Sequence, residues 1–201
     1  MEKRRFQDKS VYLSIFKNDI DVCCPKCKRH AKIINISDDE NLKFRFTCSH
    51  CGYSKTPDKN TWFGPIDGII YRRCGKCGVN VHKIIPNSKR ISHSHIVCES
   101  CGHKMFEKVE WHPRLNNQAI DPYFGASLWF KKSISSNTLW AYNLKHLEFL
   151  EKYVSADIRE RVPNQNSSLA SRLPSWIKNR KNRTNILKAI NELKKESMNG
   201  S

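Results

Sequence analysis

Long apolar runs are missing from this sequence. No stretch of its 201 residues approaches the ~18 uncharged apolar residues of a membrane-spanning helix. Only 38% of the chain is hydrophobic, so no membrane partner is expected. An export signal is missing too: the N-terminus, MEKRRFQDKSVYLSIFKND, starts basic, but Lys17 and Asp19 close its short apolar patch. The expected compartment is the cytoplasm, where disulfides are disfavoured, and nine cysteines cannot all pair. Acidic residues are scarce, 19 Asp and Glu against 36 Lys and Arg, a formal net charge of +17. No G-x-x-x-x-G-K-[ST] loop is present to hold ATP phosphates.

What is present is cysteine in pairs. Eight of the nine form four C-x-x-C motifs: Cys24 with Cys27, Cys48 with Cys51, Cys74 with Cys77, and Cys98 with Cys101. Adding 50 to the first two pairs gives the last two, and Lys26, Ile34 and Gly52 recur as Lys76, Ile84 and Gly102. The pattern is a duplication of one supersecondary unit. Each unit reads C-x2-C, 20 residues, C-x2-C, at the end of the spacing range of a structural zinc site. Two residues between thiolates let one knuckle present both sulfurs to one ion. Twenty residues suit two strands and a turn that return the chain to complete a tetrahedron. Four thiolates leave no position for water or substrate, so the expected cofactor is structural zinc, two ions per chain. Units this small bury too little core to fold alone, and metal binding supplies the difference. Redox thiols are the alternative, though these usually show one C-x-x-C beside a βαβ pattern. The ninth thiol, Cys23, could stand in for Cys24. The repeat selects Cys24, because position 23 maps onto Arg73.

Residues 31–36 and 42–47 read as strands joined by the polar turn 37–41, and 81–85 and 91–97 as their counterparts around 86–90. Lys43-Phe44-Arg45-Phe46 alternates strictly, which puts the two Phe on one face and Lys43 and Arg45 on the other. At offset 50 these cations map onto His93 and His95. The face is either an ordinary solvated one or a nucleic-acid surface, where cations meet phosphate and an aromatic ring stacks on a base. Trp62 and Phe63, outside the ribbon, are the stacking candidates.

After Trp111-His112-Pro113 there are no more cysteines. Residues 121–125 read as a turn, 127–130 as a strand-like piece, 133–137 as a polar loop, and 139–142 as a short strand or the start of a helix. Asn143 can cap a helix with Leu147, Leu150, Val154 and Ile158 on one stripe. Residues 163–168 read as a loop. Pro174 suits the start of a short helix carrying Trp176 and Ile177, and residues 182–196 form a final helix with Ile186, Leu187, Ile190 and Leu193 inward. The segment 172–195 holds Arg172, Lys178, Arg180, Lys181, Arg183, Lys188, Lys194 and Lys195 against Glu192 alone. Charged faces usually mix signs, and this one-sided run points to an anionic partner. The expected fold class is α+β: an N-terminal segment (1–19), two tandem small antiparallel zinc ribbons (20–60, and 61–110 with its connecting segment), then a mainly helical basic domain (111–201).

Each cysteine unit resembles the zinc ribbon of transcription-factor-IIB type, also found in polymerase subunits and bacterial topoisomerase tails. The block Leu139-Trp140-Ala141-Tyr142-Asn143, with His146-Leu147, Ser171-Arg172-Leu173-Pro174 and Lys181-Asn182-Arg183, resembles a largely uncharacterised bacterial zinc-ribbon family. Some of its members carry a label borrowed from replication-restart helicases. That resemblance implies zinc, this architecture and DNA as a partner. Val81-His82-Lys83-Ile84-Ile85-Pro86 is similar to the core of HNH nucleases, which need a His three residues before the Pro. Lys83 stands there instead, and a protonated lysine is a poor base.

The expected function is therefore non-enzymatic binding of nucleic acid, DNA or RNA, with weak sequence preference. Lys43, Arg45, Arg172, Lys178, Arg180, Lys181, Arg183 and Lys188 are the candidate phosphate contacts. The alternative is an adaptor, inhibitor or immunity protein docking an acidic protein partner, and an HNH-like nuclease is a third reading. An exposed cluster of Trp62, Trp111, Trp129 and Trp140 would favour the protein partner.

Overall fold

Alternation of apolar and polar residues builds strands through the first half of the chain, and capped helices take over after Asn143. The computed structural model describes residues 3–37, 43–57, 61–86, 90–114, 119–160 and 167–199. Most of the turns expected at 37–41 and 86–90 and of the loop expected at 163–168 lies outside the described residues. The strands are β1 (Arg5–Gln7), β2 (Asp19–Cys23), β3 (His30–Asn35), β4 (Phe44–Thr47), β5 (Ser54–Lys55), β6 (Ile66–Arg73), β7 (Asn80–Pro86), β8 (His93–Val97), β9 (Lys104–Lys108), β10 (Glu110–Pro113), β11 (Phe130–Ile134), β12 (Asn137–Ala141) and β13 (Ile158–Glu160). The α-helices are α1 (Leu144–Ser155), α2 (Leu169–Arg172), α3 (Ser175–Lys178) and α4 (Arg183–Asn199). The result is a mixed structure of small, mostly antiparallel sheets with a C-terminal helix.

The first cysteine unit forms the antiparallel sheet β2-β3-β4-β5. Its alternation works as expected: Phe44 and Phe46 are buried, Lys43 and Arg45 exposed. The outer edge of β2 is taken by the C-terminal third. The Cys23 amide donates to the Ser127 carbonyl (2.8 Å), the Trp129 amide to Asp21 (3.0 Å) and the Asp21 amide to Tyr142 (2.7 Å). Ile20, Val22, Ala31, Ile33, Phe44 and Phe46 belong to one core with Phe124, Leu128, Leu139, Leu147, Ile186 and Ile190. Phe6 and Phe16 of the N-terminal segment join the same core. Phe44 stacks on Tyr123, and Phe46 meets Phe124 edge-on.

The second unit is built from the corresponding strands but holds them differently. β6 pairs with β7 and β10, and among the described residues β8 pairs with β9 alone, in a separate sheet. A second, smaller core of Ile70, Cys74, Val81, Ile96, Cys98 and Val109 lies within it.

In the C-terminal third, β11 and β12 form a hairpin where the sequence suggests two separate pieces and a polar loop. Asn143 caps α1 as expected, its side chain accepting from the His146 amide (2.9 Å). The helix ends at Ser155, however, and Ile158 lies on no helical stripe. It opens β13, which pairs in parallel with β1. Arginines explain the stop. Arg159 donates to the carbonyls of Tyr153 and Val154, and Arg183 to that of Ala156, which satisfies the helix end with positive charge. α4 runs as expected, with Ile186, Ile190 and Leu193 buried. Among the described residues no helix is long and apolar enough to cross a membrane.

Candidate metal centres and a basic aromatic face

The four knuckles are copies of one another. In each, the amide of the first cysteine donates to the carbonyl five residues ahead: Cys24 to Arg29, Cys48 to Tyr53, Cys74 to Val79 and Cys98 to His103. Its carbonyl accepts from the residue four ahead: Lys28, Gly52, Gly78 and Gly102. Closing so tight a loop puts that fourth residue at positive φ, +63° for Lys28 and +67° to +73° for the three glycines.

This geometry gathers Cys24, Cys27, Cys48 and Cys51 in one group and Cys74, Cys77, Cys98 and Cys101 in another, their sulfurs within 4.8 Å of one another. The Cys24–Cys51 sulfurs are 3.7 Å apart, and the Cys27–Cys48, Cys74–Cys101 and Cys77–Cys98 pairs 3.6 Å. A tetrahedron with Zn–S bonds of ~2.3 Å has edges of about 3.8 Å, so the sulfurs already stand where zinc needs them. Each group can hold one ion, two per chain.

The thiols are also prepared for a cation. Amides of Cys77 and Lys76 pull Cys74 down to about 6, and amides of Cys51 and His50 overcome burial to hold Cys48 at about 7. Cys101 receives the His103 amide, yet burial and the thiolates of Cys77, Cys74 and Cys98 push it up to about 12. Four thiolates repel one another, and only a cation at their centre lets all four ionise. Cys23 is outside both groups. Its sulfur lies against the Leu128 carbonyl, and burial raises its pKa.

Comparisons with protein-family models, with curated proteins and with solved structures find no match for this chain. Its functional surfaces must be read from their chemistry.

The candidate phosphate contacts divide into two sets. Lys43, Arg45, Arg172, Arg180, Lys181 and Lys188 are exposed. Lys178 and Arg183 are half-buried and engaged inside the protein. Lys178 donates to the Ser171 carbonyl (2.6 Å), and Arg183 pairs with Asp157 (2.9 Å) while closing the end of α1. Lys194 is likewise paired with Glu151 (2.6 Å). Part of the one-sided charge of 172–195 therefore holds helices together, which sequence spacing alone does not reveal.

A surface that the sequence reading undervalued lies on β8 and β9. The register sets His95 opposite Phe106 and His93 opposite Lys108. Phe106 is 61% exposed, stacks with His93 (5.3 Å between ring centroids) and lies 4.7 Å from His95. Lys104, Val97 and Lys108 are exposed on the same face by alternation, and Glu107 points to the other, where it pairs with Arg72. The offset-50 signal at His93 and His95 pointed here. The missing piece was Phe106, because its strand lies beyond the last cysteine pair. Of the expected stacking residues, Trp62 donates its indole N–H to the Pro65 carbonyl and packs against Gly125, and Phe63 meets Phe46 and Phe124.

Proposed function

We propose that the protein is a non-enzymatic, zinc-stabilised nucleic-acid-binding protein with weak sequence preference, and that it engages single strands through the second ribbon. The observation that carries this reading is the β8–β9 face: one open aromatic ring flanked by two histidines and two lysines, with no carboxylate among the residues these two strands place on it. Base stacking on Phe106 tolerates any sequence, and Lys104 and Lys108 neutralise phosphates. The exposed cations Arg172, Arg180, Lys181 and Lys188 extend the electrostatic footprint. Eight thiolates and two zinc ions bring the formal +17 to +13, which still favours an anionic partner. The knuckle geometry supports reading each ribbon as one of transcription-factor-IIB type. We assign no hydrolytic role to His82 or His95. Lys83, at the place of the HNH base, donates through its ammonium group to the His95 carbonyl (2.7 Å) and Ser94 hydroxyl (3.3 Å), and such a group is committed as a donor.

The test is fluorescence anisotropy with a labelled 15-nucleotide oligothymidine across ~50 to ~200 mM salt. The slope of log affinity against log salt should be about −0.7 per phosphate neutralised on a single strand. Phe106→Ala should cost about 5- to 100-fold in affinity with the slope unchanged. Lys104→Ala with Lys108→Ala should flatten the slope. No binding at low salt would overturn the reading. Docking of an acidic protein would then lead, since Tyr71, Ile84 and Val97 are also exposed on the second ribbon. Against that second reading, the four tryptophans do not gather: Trp62 sits on Gly125, Trp111 on Gly68, Trp129 on His30 and Trp140 on His146.

A further inference from the structure

The residues singled out in 139–147 and 171–174 meet in space. Trp140, His146, Arg172 and Pro174 all line one cleft of about 820 Å³ between the N-terminal segment, the hairpin and the short helices. Lys17, Asn137 and Trp176 line it as well. The volume falls in the range of about 300 to 1,000 Å³ typical of small-molecule sites. None of the eight cysteines of the two metal groups lines the cleft.

Its chemistry is specific. Among the described residues, two cations, Lys17 and Arg172, line it and no carboxylate does. Arg172 is exposed, its amide donates to the Ser168 carbonyl, and its guanidinium has no partner among the described residues, so the fork is available to an oxyanion. Trp140 and Trp176 are half-buried, and both line the cleft. Trp140 is held by Tyr142 (5.1 Å, tilted) and by the His146 ring (5.8 Å, edge-on). Asn182 fixes the Trp176 backbone by donating to its carbonyl (2.8 Å).

His146 adds a directed donor. Its ring is stacked on Phe16 (4.8 Å), and Nδ1 accepts from the Tyr142 amide (3.2 Å), which leaves the proton of the neutral ring on Nε2. Among the described residues nothing pairs with Nε2. The wall itself is anchored, because the Ser168 hydroxyl at the start of α2 donates to Asp8 (2.5 Å) and the Leu169 amide to the Val11 carbonyl (2.7 Å). Positioned aromatic rings beside an unpaired guanidinium and a neutral imidazole N–H match a planar heterocycle that carries a phosphate.

We propose that this cleft binds a nucleoside monophosphate unit, with the base against Trp140 and Trp176 and the phosphate on Arg172 and Lys17. The unit can come from a free nucleotide or from one residue of a single strand. The proposal does not rest on the β8–β9 face, and the experiment separates the two.

The full-length, zinc-loaded protein is titrated with AMP, adenosine, inorganic phosphate and the oligothymidine while its tryptophan fluorescence is followed. AMP should quench saturably. Adenosine should bind at least about ten-fold more weakly, as expected for loss of a charge-assisted pair. Arg172→Ala, an exposed change that leaves the core intact, should weaken AMP binding about ten-fold or more. Trp176→Ala should do the same, with zinc content as the check on folding. Lys188→Ala, outside the cleft, should change nothing. If AMP fails but the oligonucleotide binds and loses affinity in Arg172→Ala and Trp176→Ala, while Phe106→Ala retains that dependence, a strand is the source of the unit. If neither probe responds to Arg172→Ala and Trp176→Ala, or an aromatic peptide binds as tightly as AMP and independently of Arg172, the proposal is overturned, whatever Phe106→Ala does.

Discussion

Three positions that are buried and apolar in the first ribbon are polar in the second, and the difference follows from what covers the sheet. Val22, Ile33 and Phe44 of the first ribbon are buried under the C-terminal third. Their counterparts at offset 50 are Arg72, Lys83 and Ser94. Without a cover, apolar residues there would be left in water, and the second ribbon carries polar groups that satisfy one another instead: Arg72 pairs with Glu107, and Lys83 donates to Ser94 and His95. The substitution has a consequence for the backbone. β3 and β4 pair as neighbours, whereas β7 and β8 belong to different sheets with Lys83 reaching between them over a cleft of about 750 Å³. Identical metal chemistry thus supports a covered, four-stranded scaffold in one copy and an open surface in the other.

Removing a zinc ligand should break the comparison most sharply. Structural zinc contributes on the order of 10 kcal/mol to such units. Cys48→Ser should drop metal content from two ions to one and unfold the shared core, seen as loss of near-UV circular dichroism. Cys98→Ser should lose one ion as well but keep most of that signal, because its core is separate. Cys23→Ser should keep both ions, and loss of one by elemental analysis would show that the ligand register is wrong.

Phenylalanines sharpen the contrast between faces. Phe46→Ala should cost about 3–5 kcal/mol in denaturant unfolding. Phe106→Ala, on the open face, should fall within about 0.5 kcal/mol and be felt in nucleic-acid binding instead. Equal stability costs would mean that the β8–β9 face is covered in solution.

Acid should discriminate between the halves next. Burial holds the His146 imidazole down to about 4 from its ordinary 6.5, and the Tyr142 amide needs its Nδ1 unprotonated. The unfolded chain therefore binds that proton more tightly. Stability is lost as pH falls through the window from about 6.5 to about 4, by about 2 kcal/mol at pH 5. Asp121 runs the other way, since burial raises its carboxyl to about 6 and protonation favours the folded state as pH falls toward 4. The measurement is accordingly the melting temperature of wild type against His146→Gln at pH 5 and 7.5. A constant difference would remove His146 as the cause.

The smallest effect lies in the knuckles. Lys28 occupies the left-handed position that glycine holds in the other three. Lys28→Gly should leave stability within about 1 kcal/mol of wild type, the gain in backbone ease being offset by the freer unfolded chain. Gly78→Ala, at the same point of the second ribbon, should cost about 1–2 kcal/mol. Thermal melts of the zinc-loaded variants would show whether the knuckles are as equivalent as their hydrogen bonds suggest.

The metal groups were legible because their cause is local. A knuckle needs only two thiols, two intervening residues and a residue tolerant of positive φ, and the offset of 50 assigned Cys24 over Cys23. The strands inside each unit were legible by the same logic, since Phe44 and Phe46 must alternate with Lys43 and Arg45 on any half-buried strand. Distance in sequence hid the rest. Whether β7 joins β8 depends on whether another part of the chain covers the face. Whether Lys178 and Arg183 meet phosphate or a helix end depends on where Ser171 and Asp157 come to lie, and Ile158 leaves the helical stripe because β1, some 150 residues away, offers it an edge. Short-range chemistry determined two zinc-ready tetrahedra in this protein. Only tertiary packing decided that one of them props up the core, the other presents an open aromatic face, and Trp140, His146 and Arg172 share a cleft, because burial is a property of the whole chain.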